Sequence, residues 1–260
     1  DYWHTAFFVF LFFSFASSGI YVINDIIDKE RDKLHHKKNS RPIASGKIPV
    51  FDGVTLSIFL ITTGILGSMM ININFLMILS LYIINNIFYS NFFKNIPIID
   101  VFSIAFGFNL RLVSGIIVFG DLPTAWIIIC TMFMSLFLGF SKRRAELVSY
   151  KKNDSDKFFQ RPVLKYYQEN FLNSLINETS FGAVITYALF CTTSGKNPTL
   201  IITIPIVYYA ILYYKIKLFK NSHGEEPDSI IYNDIIIILS IFIWLTTYLC
   251  IEYFEIQIFL

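Results

Sequence analysis

The chain is 260 residues long, 55% hydrophobic and only 15% charged, with a formal net charge of +2. So small a net charge does not suggest nucleic acid, and Cys130, Cys191 and Cys250 fall in apolar runs at no metal-ligand or redox spacing, so they read as packing residues. A large soluble core is the poorer explanation, because soluble domains seldom string together this many uninterrupted apolar stretches.

Apolar runs of about membrane-spanning length recur at residues 5–23, 51–71, 74–90, 98–119, 124–140, 172–192, 199–214 and 235–253. A bilayer core needs ~20 such residues, ~17 at the short end, so the pattern predicts an all-α polytopic membrane helix bundle with eight spans. No Gly/Ser-rich linker divides the chain, and residues 1–260 are read as a single integral membrane domain. The chain opens on Asp1-Tyr2-Trp3 rather than Met and enters its first run almost at once. That run lacks the basic start and cleavage pattern of a signal peptide, so an N-terminal piece is expected to precede it.

The basic residues set the topology. Residues 24–50 hold seven Lys/Arg and residues 142–165 hold eight, whereas the connections near Asn72, Gly120 and Gly195 contribute only Lys196. By the positive-inside rule the basic loops face the cytoplasm and both ends of this chain lie outside. The most informative segment follows the first run: Asn24-Asp25-Ile26-Ile27-Asp28-Lys29-Glu30-Arg31-Asp32. At ~3.6 residues per turn, Asp25, Asp28 and Asp32 (i, i+3, i+7) share one helical face, with Asn24 in register. Three such acids repel one another unless a cation sits among them. Oxygen-rich clusters suit Mg²⁺, which takes a few carboxylates and completes its shell with water and phosphate oxygens. Asn24, Asp25, Asp28 and Asp32 are therefore the candidate metal ligands. Arg31, Lys38 and Arg41 follow closely, placed to meet the phosphate oxygens that the metal leaves free. Pro42 and Gly46 mark a turn between two spans. A solvated juxtamembrane charge run is the bland alternative, and the three acids on one face weigh against it.

The N-D-x-x-D-x-x-x-D string, followed by R-P-I-A-S-G, resembles the first aspartate motif of the UbiA superfamily of intramembrane prenyltransferases. The resemblance implies a nine-helix fold around a central cavity open to the cytoplasm and to lipid. Eight spans here fit nine minus one, with the N-terminal helix of the family fold expected to be absent. Aromatic prenyltransferases of that superfamily carry a second D-x-x-x-D. Here only Asp100 stands in that region, with Ile104 four residues on. Instead the chain shows Tyr89-Ser90-x-x-x-Lys94, Asp100, a G-F-x-L-R-x-x-x-G string containing Arg111, Lys142-Arg143-Arg144-Ala145-Glu146-Leu147, and a late Gly224-Glu225-Glu226-Pro227-Asp228. This set is similar to the decaprenyl-phosphate phosphoribosyltransferase branch.

That branch implies Mg²⁺-dependent transfer of a 5-phosphoribosyl group from phosphoribosyl diphosphate to a polyprenyl phosphate lipid, with release of pyrophosphate. The setting would be the cytoplasmic face of a bacterial membrane, in a cell-wall pentose pathway. Asp25, Asp28, Asp32 and Asp100 become the candidate catalytic acids. Asn24, Arg31, His35, Lys38, Arg41, Tyr89, Lys94, Arg111, Lys142 and Glu146 become the candidate substrate contacts. Arg111 equally fits a structural pair with a carboxylate, and Tyr89 an interfacial aromatic. Transfer of an isoprenoid from its diphosphate to an aromatic or other acceptor is the rival within the superfamily. A transporter using Asp100, Arg111 and Glu178 is the rival from another class, against which no internal repeat is evident. The bilayer is the expected environment, nucleic acid is not an expected partner, and homo-oligomerisation is left open.

Overall fold

A helix satisfies every backbone group within its own segment, so long apolar runs of a membrane chain fold as helices. In the computed structural model residues 2–34, 38–152, 162–193, 197–220 and 227–257 are described, and no strand occurs among them. Seven of the helices are long and apolar enough to cross a membrane. The eighth expected run, 172–192, lies within a 25-residue helix, Glu169–Thr193, whose Asn173, Asn177, Glu178 and Thr179 dilute its apolar character. The chain divides into two compact units, Asp1–Pro123 with Lys157–Lys165, and Thr124–Asp156 with Tyr166–Leu260.

The first unit contains α1 (Tyr2–Ile27), the short α2 (Lys29–Lys33), α3 (Val50–Ile71), α4 (Ile73–Asn91) and α5 (Ile99–Ile117). Its core is built by Val9, Phe13, Ala16 and Ile20 of α1, Phe75, Leu79, Tyr82 and Ile83 of α4, and Leu110 of α5. The α1 positions recur at i, i+4, i+7 and i+11, one stripe of a helix. At α1 and α3 the backbones approach closely. A Cβ on Gly64 would sit 2.8 Å from the carbonyl oxygen of Phe12 and 2.9 Å from Cβ of Ala16, and Ser57 Oγ donates to the Gly19 carbonyl at 3.0 Å. Small residues let membrane helices pack by contact where no hydrophobic drive exists between them. Gly64→Val should therefore destabilise the unit by about 1–3 kcal/mol through overpacking against backbone. A lower thermal midpoint of the detergent-solubilised protein would show it, and an unchanged midpoint would refute the close packing.

At 26 residues, α1 is ~39 Å long, more than the ~30 Å of a hydrocarbon core, and its last turn carries the polar Asn24 and Asp25. The loop that follows is anchored by the buried Ile43, which packs with Ile26 of α1 over Gly53 of α3. Extended Asn72 joins α3 to α4 and caps α4 by accepting from the backbone N–H of Asn74 at 2.8 Å. Asn85 and Ser103 then tie α4 to α5, with Ser103 Oγ donating to Asn85 Oδ1 at 3.0 Å and Asn85 Nδ2 to the Ser103 carbonyl at 3.0 Å.

The second unit contains α6 (Ala125–Lys152), α7 (Glu169–Thr193), α8 (Ile204–Lys220), α9 (Pro227–Asn233) and α10 (Ile235–Tyr253). Tyr187, Phe190, Cys191, Leu200 and Ile251 form its core cluster. Tyr187 is hydrogen-bonded on two sides there. The Tyr187 hydroxyl lies 2.6 Å from Thr203 Oγ1 and accepts from Trp244 Nε1 at 2.7 Å. Lys217 reaches Asp234, just before α10, at 2.7 Å and holds that carboxyl below its ordinary value. Cys130, Cys191 and Cys250 are free thiols; Cys191 is buried and Cys130 half-buried, as packing residues are, whereas Cys250 is exposed.

Candidate active site

The aspartate motif does not lie on one uninterrupted helix. α1 ends at Ile27, Asp28 departs from helical geometry at φ −90° and ψ 2°, and α2 starts at Lys29. Helical hydrogen bonds nevertheless bridge the break, from Asp28 N–H to the Asn24 carbonyl and from Asp32 N–H to the Asp28 carbonyl. The i, i+3, i+7 relation is thus retained only in part, and the three acids turn to two different cations. Asp25 Oδ1 and Asp32 Oδ2 both accept from a single atom, Arg41 Nη1, at 2.7 and 2.8 Å. Asp28 Oδ1 accepts from Lys94 Nζ at 2.6 Å, with Arg31 Nη1 at 3.8 Å.

Asn24 is held by a third contact, Ser90 Oγ donating to its Oδ1 at 3.1 Å. The Y-S-x-x-x-K string therefore meets the aspartate motif at two points, Ser90 with Asn24 and Lys94 with Asp28. Lys94 is placed by a 3-10 turn, Phe93–Asn95, that follows α4, and is only 8% exposed. Between it and Asp100 stands Ile98 at φ 69°, a region rare for a β-branched residue, so backbone strain is stored in the connection that sets both side chains. Asp100 is fully buried in the first turn of α5, where the helix dipole favours a carboxylate. Glu30, the remaining acid of the segment, is exposed and paired with Lys33 at 2.8 Å, which keeps its carboxyl below the ordinary value.

A divalent cation fits this donor set. Two carboxylate oxygens already aim at one point, now taken by Arg41 Nη1, and Mg²⁺ is commonly held by one or two carboxylates with water and phosphate oxygens completing the shell. Among the described residues no three of His, Cys, Asp and Glu converge as a ready metal cage. Each of the four expected ligands is engaged through one oxygen, Asp25 and Asp32 by Arg41, Asn24 by Ser90 and Asp28 by Lys94, and only Asp25 and Asp32 aim at a shared point.

Other expected contacts are placed as follows. Lys38 lies in the 3-10 turn Lys38–Ser40 that leads into Arg41. Tyr89 is half-buried beside Ser90 in α4. His35 and Gly224-Glu225-Glu226 lie outside the described residues. Arg111 is exposed, and its partners among the described residues are not carboxylates: its Nη2 donates to Ser17 Oγ at 3.2 Å and Tyr82 OH at 3.3 Å, and its Cζ stands 5.3 Å from the Phe13 ring centroid. Arg111 is thus held by hydroxyls and aromatic faces, and of its two sequence readings the structural carboxylate pair is not seen among the described residues. Lys142 and Glu146 belong to α6 of the second unit, where the fully buried Arg143 donates to Glu146. Its neighbour Arg144 donates to Asn173 Oδ1 at 2.6 Å and Glu169 at 3.1 Å, linking α6 to α7. Ser90 and Arg143 were not singled out from sequence. Both lie inside the strings quoted for the resemblance, but their partners are set by folding.

The UbiA prenyltransferase family model matches residues 1–246. A decaprenyl-phosphate phosphoribosyltransferase from Corynebacterium glutamicum is 28% identical over 233 residues, covering 86% of this chain and 69% of the relative. One from Mycobacterium tuberculosis is 25% identical over 240 residues, covering 92% and 78%. Among solved structures, a UbiA homolog from Archaeoglobus fulgidus bound to GPP and Mg²⁺ superposes with a TM-score of 0.72 at 18% identity, covering 93% of this chain and 84% of that one. The acid motif, the helical fold and the length of the match agree, and the chain belongs to the UbiA prenyltransferase family.

Proposed function

We propose that this transferase moves a 5-phosphoribosyl group from phosphoribosyl diphosphate to the phosphate of a polyprenyl lipid, with Mg²⁺, at the cytoplasmic face of a bacterial membrane. The observation that carries the reading is the pairing of acids and bases along one short segment. Asp25 and Asp32 aim at one cation position, held by Arg41, while Lys94 and Arg31 meet the neighbouring Asp28 and bring further donors for phosphate oxygens. Two further facts support it: the names of the relatives that match most of the chain, and the lack of a second D-x-x-x-D after Asp100.

In this reading Asp25 and Asp32 hold the metal, which makes the diphosphate a better leaving group. Lys94, held by Asp28, and Arg41 orient the phosphates and neutralise charge that develops on them. An oxygen of the lipid phosphate bonds to the anomeric carbon of the ribose, and the bond from that carbon to the diphosphate breaks, its electron pair leaving with pyrophosphate. The lipid phosphate is already anionic, so no strong general base is required. The acids follow the apolar run of α1, and in this reading that brings them to the level at which a lipid phosphate and a water-soluble donor would meet. Roles for Lys142 and Glu146 rest on the K-R-R-x-E-L resemblance.

The test is direct. Membranes holding the protein should transfer label from phosphoribosyl diphosphate to polyprenyl phosphate in the presence of Mg²⁺ and lose that transfer with EDTA. Product only from an isoprenyl diphosphate would replace this reading with isoprenoid transfer.

A further inference from the structure

Arg41 donates both of its short contacts through one nitrogen, to Asp25 at 2.7 Å and Asp32 at 2.8 Å. A guanidinium has five donors in a planar fork, and its usual match is one carboxylate gripped by two of them. Here the reverse holds: two carboxylates grip one nitrogen, as they would a metal ion. The pairing is not required by the backbone path. The loop is held separately, by Arg41 N–H to the Lys38 carbonyl, Ser45 N–H to the Arg41 carbonyl, and the buried Ile43. The Arg41 side chain itself remains 36% exposed, so it can leave without unfolding the turn.

We infer that Arg41 is an internal stand-in for the metal, exchanged for it when diphosphate arrives; the inference rests on the metal–diphosphate site proposed above. A divalent ion needs the two oxygens that Arg41 Nη1 holds, and like charge keeps both from occupying them together. Free metal must therefore displace Arg41 into water with no compensating partner. A metal bound to diphosphate brings that partner with it, because the released guanidinium can fork onto the phosphate oxygens. The site then discriminates against bare cations and takes metal and diphosphate as a unit. Reciprocity follows: diphosphate raises metal affinity by the same factor by which metal raises diphosphate affinity.

The experiment is a Mn²⁺ titration of the detergent-solubilised full chain, followed by electron paramagnetic resonance, with and without inorganic pyrophosphate. The wild type should bind Mn²⁺ weakly alone and about tenfold or more tightly with pyrophosphate. Arg41→Ala should bind Mn²⁺ alone about tenfold more tightly than wild type, and most of the pyrophosphate gain should vanish. Arg41→Gln, which keeps an amide donor and removes the charge, should shift the same way and decides the matter should the alanine variant fail to fold. Unchanged or weaker metal-only binding in these variants, with the wild type still taking metal and pyrophosphate, would overturn the exchange and leave the site. No Mn²⁺ binding by the wild type under either condition would overturn both.

Discussion

Asp25→Asn and Asp32→Asn are each expected to lower the initial rate of the proposed phosphoribosyl transfer by about 10³-fold at saturating Mg²⁺. Each exchange keeps the size and one acceptor oxygen of the side chain but removes a full negative charge. Two carboxylates are what this chain offers a cation at the point where Asp25 and Asp32 converge, so either loss halves the protein charge there. Asp32 is 5% exposed, and water is poorly placed to replace it. The Mg²⁺ concentration that gives half the maximal rate should rise as well. Steady-state rates across a Mg²⁺ series, with circular dichroism to confirm folding, are the measurement. A well-folded variant that retains more than about a tenth of the wild-type rate would remove the metal role from these acids, since even single preorganised groups are worth more than that.

Lys94→Met is expected to lower the rate by about 10²-fold with a smaller effect on Mg²⁺ dependence. The lysine is buried against Asp28 at 2.6 Å, where the side chains are 10% and 20% exposed, so the pair is shielded from solvent. Deleting one partner of such a pair leaves the other charge inadequately solvated, and the stability cost is about 3 kcal/mol at most, less here because Arg31 stands 3.8 Å from the same oxygen. Methionine fills the volume of the lysine stem, so packing is conserved. The two roles separate in the double variant Asp28→Asn/Lys94→Met. If the pair were only structural, the double variant would recover the rate as well as the thermal midpoint. Recovery of the midpoint alone is the expected result if the ammonium acts at the diphosphate as proposed.

Much of this site could be read along the chain. The acid spacing and the bases after it lie within eighteen residues, 24–41, and local spacing is a property of sequence. The limits of that reading show at Asp28. Both flanks favour helix, so continuity from Asp25 to Asp32 was the natural expectation, and the break at φ −90° is invisible in composition. Nor does spacing say that Arg41, drawn from the sequence as a phosphate contact, would bridge Asp25 and Asp32. Lys94 and Ser90 lie 66 residues from Asp28 and Asn24, and only the resemblance brought that string near the motif before the fold showed the contacts. Arg111 gave the opposite lesson: a charge in a span suggested a carboxylate partner, and hydroxyls with aromatic faces hold it.

The amino-acid order alone decided that this is a helical membrane protein with an acid-rich rim after its first span, because a bilayer demands long apolar segments and each helix closes its own hydrogen bonds. Which cation each aspartate meets was decided only by tertiary structure. Those pairings depend on how α1, α4 and the loop carrying Arg41 are brought side by side, through the shared core of Phe13, Ile20, Leu79 and Tyr82 and the docking of Ile43 over Gly53. Packing between helices is a sum of many weak contacts distant in sequence, and no local pattern encodes it.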